Sequence, residues 1–287
     1  RTTLARETRA LLASPGVWLF GPLILVQTWA ATMLRPGTLD TEVLMTTGAA
    51  STVAFGPLGL LLALLTLFYS VESLVREERC GLSGIHRACP VPTAGVLAGK
   101  ILANAVMALV IVAFTAAAIA ITILVQRFRT GVPIPLEMPV MATILGGLLA
   151  PTLVVWAAWV TLLHAFTRNR FATYALGVAT LVGTGFLTRY GWLNWLTAWN
   201  LGGRALVWSE LDRLGYMWPA ILANRLTMLA LAAWLVAVTL RVWPRRLPDL
   251  RATFDRLRPG AFLRAAVVPA LVALPLVFLA VHTGRGV

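Results

Sequence analysis

The sequence predicts an all-α integral membrane protein with six membrane-spanning helices and a seventh apolar run. Hydrophobic residues make up 59% of the 287 residues and charged residues only 12%, against roughly 25% charged residues in an average soluble domain. Several runs reach or exceed the roughly 20 apolar residues with which a helix crosses a bilayer. These runs are continuous and do not alternate, which indicates helices and excludes a membrane barrel.

The expected spans are separated by short polar connections. They cover residues 17–33, 52–69, 101–125, 140–165, 171–187 and 219–240, and the seventh run covers residues 265–281. We expect a six-span unit over residues 1–245, a basic amphipathic connector over residues 246–264, and a seventh span that opens a second half. The pattern Pro-Gly-x-aromatic-Leu begins at both Pro15 and Pro259. If this match is a true repeat, the chain is part of a longer polypeptide.

Three segments are predicted to lie at the membrane surface. Residues 1–15 combine leucines with charged residues, as a short surface helix does, and end at Pro15-Gly16. In the connector, Leu250, Phe254 and Leu257 follow helical spacing. The connection at residues 189–218 contains five tryptophans, which prefer the headgroup layer. We therefore expect one or two short interfacial helices in that connection.

The distribution of basic residues predicts the orientation of the chain. Sixteen arginine and lysine residues lie on the side of the N-terminus, and eight lie on the opposite side. Cytoplasmic flanks carry the excess of positive charge, so we expect the N-terminus and residues 71–100 in the cytoplasm. The net charge of +13 belongs to these flanks and does not indicate a nucleic-acid partner.

The sequence suggests no catalytic or ion-coupling group within the membrane. Its acidic residues all fall outside the predicted hydrocarbon zone, whereas a proton-coupled transporter usually has an intramembrane carboxylate or histidine. His164 is expected to have a structural role at the interface. The spacing of Cys80 and Cys89 fits no common metal or redox pattern. Because a Walker-type phosphate loop is missing, the chain is not expected to bind ATP by that route.

Two polar sites occur near the ends of spans. Asn104 is expected to form an interhelical hydrogen bond, and the Arg225 side chain is expected to extend toward the interface. The alternative is that Asn224 and Arg225 contact an anionic group of a lipid or substrate near the outer mouth.

The polar segment, residues 71–100, separates the second span from the third. Within it, Leu82, Ile85 and Cys89 fall at i, i+3 and i+7, which predicts a short helix with one apolar stripe. Pro90 and Pro92 end this helix. A short helix with an apolar ridge and a charged rim is suited to docking into a partner's groove; the alternative is a surface helix that faces lipid. The charged and titratable residues of the segment include Arg76, Glu77, Glu78, Arg79, His86, Arg87 and Lys100.

Three motifs of the polar segment carry a resemblance to a known family. They are F-x-x-x-E-S-L-V-R-E-E-R-x-G-L from Phe68, C-P-V-P-T from Cys89 and A-G-K from Ala98. Together they resemble the cytoplasmic segment of type-2 ATP-binding cassette (ABC) exporter permeases, and with the six-span order the resemblance reaches about residues 1–245. The triplet at Cys80 departs from the family's usual Ser/Gly-Gly-Thr. The positions that match the family's pattern are Arg76-Glu77, Gly81, residues 85–89, Pro90-Val91 and Gly99-Lys100.

The resemblance implies a six-span permease half with an amphipathic N-terminal elbow helix and a cytoplasmic coupling helix. The implied coupling residues are Arg76, Glu77, Glu78, Arg79, Gly81, Leu82, Ile85, His86, Arg87 and Pro90, and the implied elbow residues are Glu7, Arg9 and Leu12. Two halves, in one chain or as dimer mates, would pair and dock on cytoplasmic ABC ATPase subunits. ATP and Mg would be held by the ATPase, and this chain would bind no cofactor and catalyse no reaction.

The expected function is that of a multi-pass permease of the bacterial inner membrane, which moves an unknown substrate through ATP hydrolysis on its partner. A second interpretation is a membrane anchor or scaffold for an appended or associated enzyme, such as the aminopeptidase-like domain of some relatives. A secondary transporter is a third interpretation, and it lacks the expected intramembrane ionisable site.

Overall fold

The computed structural model describes residues 2–34, 44–80, 93–190, 198–200, 206, 208–215 and 217–243. The helices in these ranges are α1 (Thr2–Leu12), α2 (Pro15–Met33), α3 (Thr47–Arg79), α4 (Thr93–Thr130), α5 (Met138–Thr167), α6 (Arg170–Arg189) and α7 (Trp218–Val242). Helices α2 to α7 are each long and apolar enough to cross a membrane. Each of these six helices contains one of the six expected spans, and the helix expected within residues 1–15 is found at Thr2–Leu12.

Several expected elements fall outside the described residues. They are the short helix at residues 82–89, the amphipathic connector at residues 246–264 and the seventh span at residues 265–281. In the connection before α7, the described positions show turns and an isolated bridge between Ser209 and Arg213. Those positions contain no helix, so the expected interfacial helices are not found in them.

Helices α3 and α4 are longer than a bilayer requires. They contain 33 and 38 residues, which correspond to about 50 and 57 Å at a rise of 1.5 Å per residue. The hydrocarbon core is only about 30 Å thick. The second expected span ended at Tyr69, whereas α3 continues to Arg79. The third expected span began at Ile101, whereas α4 begins at Thr93. Both helices therefore extend well beyond the apolar zone toward residues 81–92.

The helices pack around a centre formed by α3, α4 and α5. Helix α5 packs most extensively on α7 and also contacts α3 and α6, while α4 packs on α1, α2 and α3. At the contact between α2 and α4, a Cβ on Gly21 would lie 2.5 Å from the Phe114 ring. Glycine therefore permits a close approach of the two helices there.

Helix α5 contains a π-helical turn, Ala142–Leu148. Pro151 follows this turn and has no backbone N–H to donate, which frees a carbonyl group in the preceding turn. Further along α5, Trp156 Nε1 donates to the Ala63 carbonyl of α3 over 2.7 Å, and its ring stacks on Trp199 with centroids 4.9 Å apart. The residues after the π-helical turn thus anchor α5 to α3 and to the connection before α7.

Candidate functional site

The buried carboxylate of Glu7 joins α1 to the extended ends of α3 and α4. Ser73 Oγ donates to Glu7 Oε2 over 3.0 Å, and Arg76 Nη1 donates to the same oxygen over 3.2 Å. Lys100 Nζ lies 3.8 Å from Glu7 Oε1 and donates to the Ser73 carbonyl. We refer to these four residues as the Glu7 cluster. Through it, one carboxylate contacts both helices that flank residues 81–92.

The Glu7 cluster is enclosed by the helices that form it. Glu7 is 7% exposed and Lys100 is 4% exposed, so both charged groups have lost most of their hydration. A buried ammonium group requires a paired anion, because unpaired burial of a charge costs several kcal/mol. The Arg76 side chain keeps 35% of its surface exposed, and solvent weakens its pairing with Glu7. The Glu7–Lys100 pair is therefore the central electrostatic contact of the cluster.

Local sequence explains why Glu7 faces inward. Glu7 and Leu11 are four residues apart on one helical face, and Leu11 is 1% exposed. Arg9 lies on another face of α1 and is exposed. The amphipathic pattern of α1 therefore directs a leucine and a carboxylate together into the bundle.

The corner between α1 and α2 is also fixed to α3. Ser14 Oγ lies 3.2 Å from Tyr69 Oη and donates to the Leu11 carbonyl over 2.6 Å. Trp18 Nε1 donates to the Leu12 carbonyl over 2.8 Å. These bonds hold α1 at a defined angle to α2, so a displacement of α1 is passed to α2.

A hydrogen bond to the carboxylate of Glu72, which is ion-paired within α3, ties the end of α3 to α6. Arg79 Nη1 lies 2.6 Å from Glu72 Oε2, and Tyr174 Oη donates to Glu72 Oε1 over 3.1 Å. Because Glu72 precedes Ser73 in the chain, neighbouring residues connect α3 to two different elements. The last turns of α3 are thus attached to α1 on one side and to α6 on the other.

The structure places only some of the expected coupling and elbow residues. It brings Arg76 to Glu7 and Arg79 to Glu72, and it leaves Arg9 exposed and Leu12 partly buried. Glu77 and Glu78 belong to the last turn of α3, and the structure describes only their backbone. The remaining coupling residues, outside the described ranges, are Gly81, Leu82, Ile85, His86, Arg87 and Pro90. The sequence did not indicate Ser73 as a site residue, although Ser73 lies in the E-S-L motif.

Asn224 and Arg225 lie inside the bundle, where α7 meets α5. They are 0% and 5% exposed. Arg225 Nη1 donates to Thr152 Oγ1 over 2.7 Å and to the Leu148 carbonyl over 2.9 Å. The expectation that Arg225 extends toward the interface is wrong, because its donors find oxygen acceptors on α5.

Two further acceptors complete the surroundings of Arg225. Nε donates to Asn224 Oδ1 over 3.0 Å, and Nη2 donates to the Trp199 carbonyl over 3.4 Å. The acceptors of the guanidinium in the described part of the chain are all neutral oxygens. Arg225 thereby fastens the connection before α7 to the exit of the π-helical turn in α5.

Two other polar residues have local partners. Asn104 Nδ2 donates to the Lys100 carbonyl of its own helix over 3.0 Å, and its Oδ1 has no hydrogen-bond partner among the described residues, so the expected interhelical hydrogen bond is not found there. Thr173 Oγ1 lies 3.2 Å from His164 Nδ1 and 2.8 Å from Thr167 Oγ1. His164 therefore links α5 to α6, in agreement with its expected structural role.

No protein-family model matches the sequence, and no curated protein is significantly similar to it. Within the described ranges, no group of three or more His, Cys, Asp or Glu residues is placed to hold a metal ion. The Glu7 cluster joins α1, α3 and α4 through one buried carboxylate, one hydroxyl and two cationic side chains.

Proposed function

We propose that the chain is the membrane-spanning permease half of an ATP-driven ABC exporter in the bacterial inner membrane, with a cytoplasmic N-terminus. A partner ATPase docks on the polar segment, and ATP and Mg belong to that partner. The observation that supports this proposal is the Glu7 cluster. The cluster ties both helices that flank the polar segment to the N-terminal helix, which is a connection that a segment receiving a mechanical input can use.

The contacts around the polar segment suggest how a displacement spreads. A push on residues 81–92 reaches α3 and α4 directly, because these helices flank the segment. The Glu7 cluster passes it to α1, and the hydrogen bonds of Ser14 and Trp18 pass it to α2. On the other side, the Glu72–Tyr174 bond passes it to α6. One input at the cytoplasmic end would therefore tilt five helices.

The outward faces of two helices suit a second permease half or lipid. Only 11% of the apolar window of α6 and 28% of that of α2 is buried within the chain. A six-span half that pairs with another half, in the same chain or as a dimer mate, needs such apolar faces. The substrate path would then form between the two halves.

Copurification with an ATPase tests this proposal. The tagged chain is extracted from its native membrane in mild detergent, and the ATPase activity and subunits that accompany it are measured. We expect an ABC ATPase to copurify with the native chain and to be lost from the double variant Leu82→Asp/Ile85→Asp. The matched control is Leu211→Asp, which places the same charge on a fully exposed leucine near the opposite end of the bundle.

Two outcomes would contradict the proposal. One is a folded native chain that carries no ATPase, as a simple membrane anchor would behave. The other is a double variant that retains as much ATPase as the Leu211→Asp control, which would remove the docking role from Leu82 and Ile85.

A further inference from the structure

A pocket lies near the beginning of α3, at the opposite end of the bundle from the Glu7 cluster, and the proposed function does not use it. Its volume is about 330 Å³, within the range of small-molecule sites. The first residues of α5 form one side, and residues 208–215 with the start of α7 form the other. The residues that matter for its chemistry are Trp208, Trp218, Asp212 and Arg213.

The indole of Trp208 is held in place by the first turn of α3. A Cβ on Gly48 would lie 1.9 Å from the Trp208 ring, so the ring packs directly on the backbone of that turn. Trp208 Nε1 donates to Glu210 Oε1, which also accepts a hydrogen bond from Thr46 Oγ1. Both contacts fix the ring, and one aromatic wall of the pocket is therefore preformed.

The turn that carries Asp212 is attached to α5 as well. Ser209 and Arg213 exchange two backbone hydrogen bonds, with N–O distances of 3.2 and 2.7 Å. Arg213 Nη2 lies 3.0 Å from Glu137 Oε2, and Glu137 immediately precedes α5. The turn is thus bound to α3 on one side and to α5 on the other, which keeps Asp212 at the pocket.

The charges around the pocket favour a cationic ligand. The charged residues that line it are Asp212 and Arg213, and the Arg213 guanidinium is paired with Glu137, which lies outside the lining. The arginines that end α4 do not line the pocket. Two indoles beside a carboxylate form an environment in which organic ammonium groups bind, through cation–π attraction and charge pairing.

We propose that this pocket binds a substituted ammonium group. The indoles of Trp208 and Trp218 contact its alkyl groups, and the Asp212 carboxylate provides the opposite charge. Such a group occurs both in free amines and in lipid headgroups, and both sources present the same cation to the pocket. The inference stands on the pocket alone and does not require the exporter function.

Titration calorimetry of the full chain in detergent tests the proposal, with choline chloride as the probe and sodium chloride as the reference salt. We expect saturable binding of choline that weakens about tenfold or more in Asp212→Asn and in Trp218→Leu. The control is Leu211→Ala, in the same turn but outside the pocket, and it should bind as the native chain does. Asp212→Asn preserves the shape of the side chain, so it tests charge even if Trp218→Leu is unstable.

The same titration in lipid nanodiscs distinguishes the two sources. If discs of phosphatidylglycerol support choline binding and added phosphatidylcholine abolishes it, the ammonium group belongs to a lipid headgroup. If choline binds equally in both discs, it belongs to a free amine. The proposal is overturned if choline produces no more heat than sodium chloride, or if Asp212→Asn binds choline as tightly as the Leu211→Ala control.

Discussion

At the scale of single residues, burial makes the charges of Glu7 and Lys100 depend on each other. Each group is more than nine-tenths enclosed, and their charged atoms lie 3.8 Å apart. Removing one charge leaves the other buried without its main partner, which costs far more than removing both. Replacing both residues should therefore destabilise the protein less than replacing either one alone.

We predict that Glu7→Gln and Lys100→Met each lower the free energy of unfolding by about 3 kcal/mol, because each removes the buried ion-pair partner of the remaining charge. The double variant Glu7→Gln/Lys100→Met should be more stable than either single variant. Thermal unfolding of the purified chain in detergent measures all three. If the two effects simply add in the double variant, the two charges are not coupled.

Arg225 is a second residue whose geometry yields a prediction. Its planar guanidinium reaches Thr152, the Leu148 carbonyl and Asn224 at once, and the single ammonium of lysine cannot reproduce this arrangement. We expect Arg225→Lys to lower the free energy of unfolding by about 2–4 kcal/mol, since hydrogen bonds to charged groups contribute about 1.5–3 kcal/mol each.

The matched control for Arg225 is Arg9→Lys, because Arg9 is exposed on α1. The two variants make the same substitution in a buried and an exposed position, and chemical or thermal unfolding compares them. Equal stability of the two variants would show that the bonds of Arg225 do not hold α7 to α5.

At the scale of the helices, close packing between α2 and α4 depends on the missing side chain of Gly21. We predict that Gly21→Ala lowers the free energy of unfolding by about 1–3 kcal/mol, because the added methyl group overlaps the Phe114 ring and overpacks the contact. Gly183→Ala in α6 is the control, since a Cβ there meets no atom within 4 Å. If the free energy of unfolding of Gly21→Ala is equal to or higher than that of Gly183→Ala, the close contact between α2 and α4 is ruled out.

Hydropathy was sufficient to predict the helices but not their full lengths. Apolar runs located all six spans because a bilayer requires continuous apolar surface. The polar ends of α3 and α4 and the π-helical turn of α5 carry no such signal. These features depend on contacts between helices, as when Ser73 of α3 meets Glu7 of α1 across 66 positions of sequence.

The candidate site could be predicted only in part, because it also depends on contacts between helices. The polar segment and Glu7 were both identified, but as separate features. Their connection requires the packing of α1 against α4, which no local pattern encodes. For Arg225, a location near the predicted start of a span suggested extension toward the interface, whereas the acceptors that draw it inward belong to α5 and to residue Trp199.

At the scale of the whole molecule, the two ends of the bundle have different chemistry. Near the end of α3 at Arg79, ion pairs connect α1, α3 and α4, and a hydrogen bond from Tyr174 to Glu72 connects α3 to α6. The beginning of α3, by contrast, supports an aromatic and acidic pocket. The long helices α3 and α4 extend between these ends.

The most direct test of the proposed ATP-driven coupling is a pair of spin-label distances, measured in the complex with the proposed partner ATPase before and after ATP hydrolysis is trapped. Cys89→Ser/Arg9→Cys leaves labels at position 9 and at Cys80, both beside the Glu7 cluster. Cys89→Ser/Leu211→Cys leaves labels at Cys80 and at the opposite end. Labelled chain is diluted with unlabelled chain, so that each distance lies within one molecule.

We predict that trapping leaves the distance between positions 9 and 80 unchanged, because the Glu7 cluster moves as one body. The distance between positions 80 and 211 should change, because the helices tilt relative to the far end. If neither distance changes, the ATPase does not drive this chain. If the first distance changes as much as the second, the Glu7 cluster does not join α1 to the polar segment.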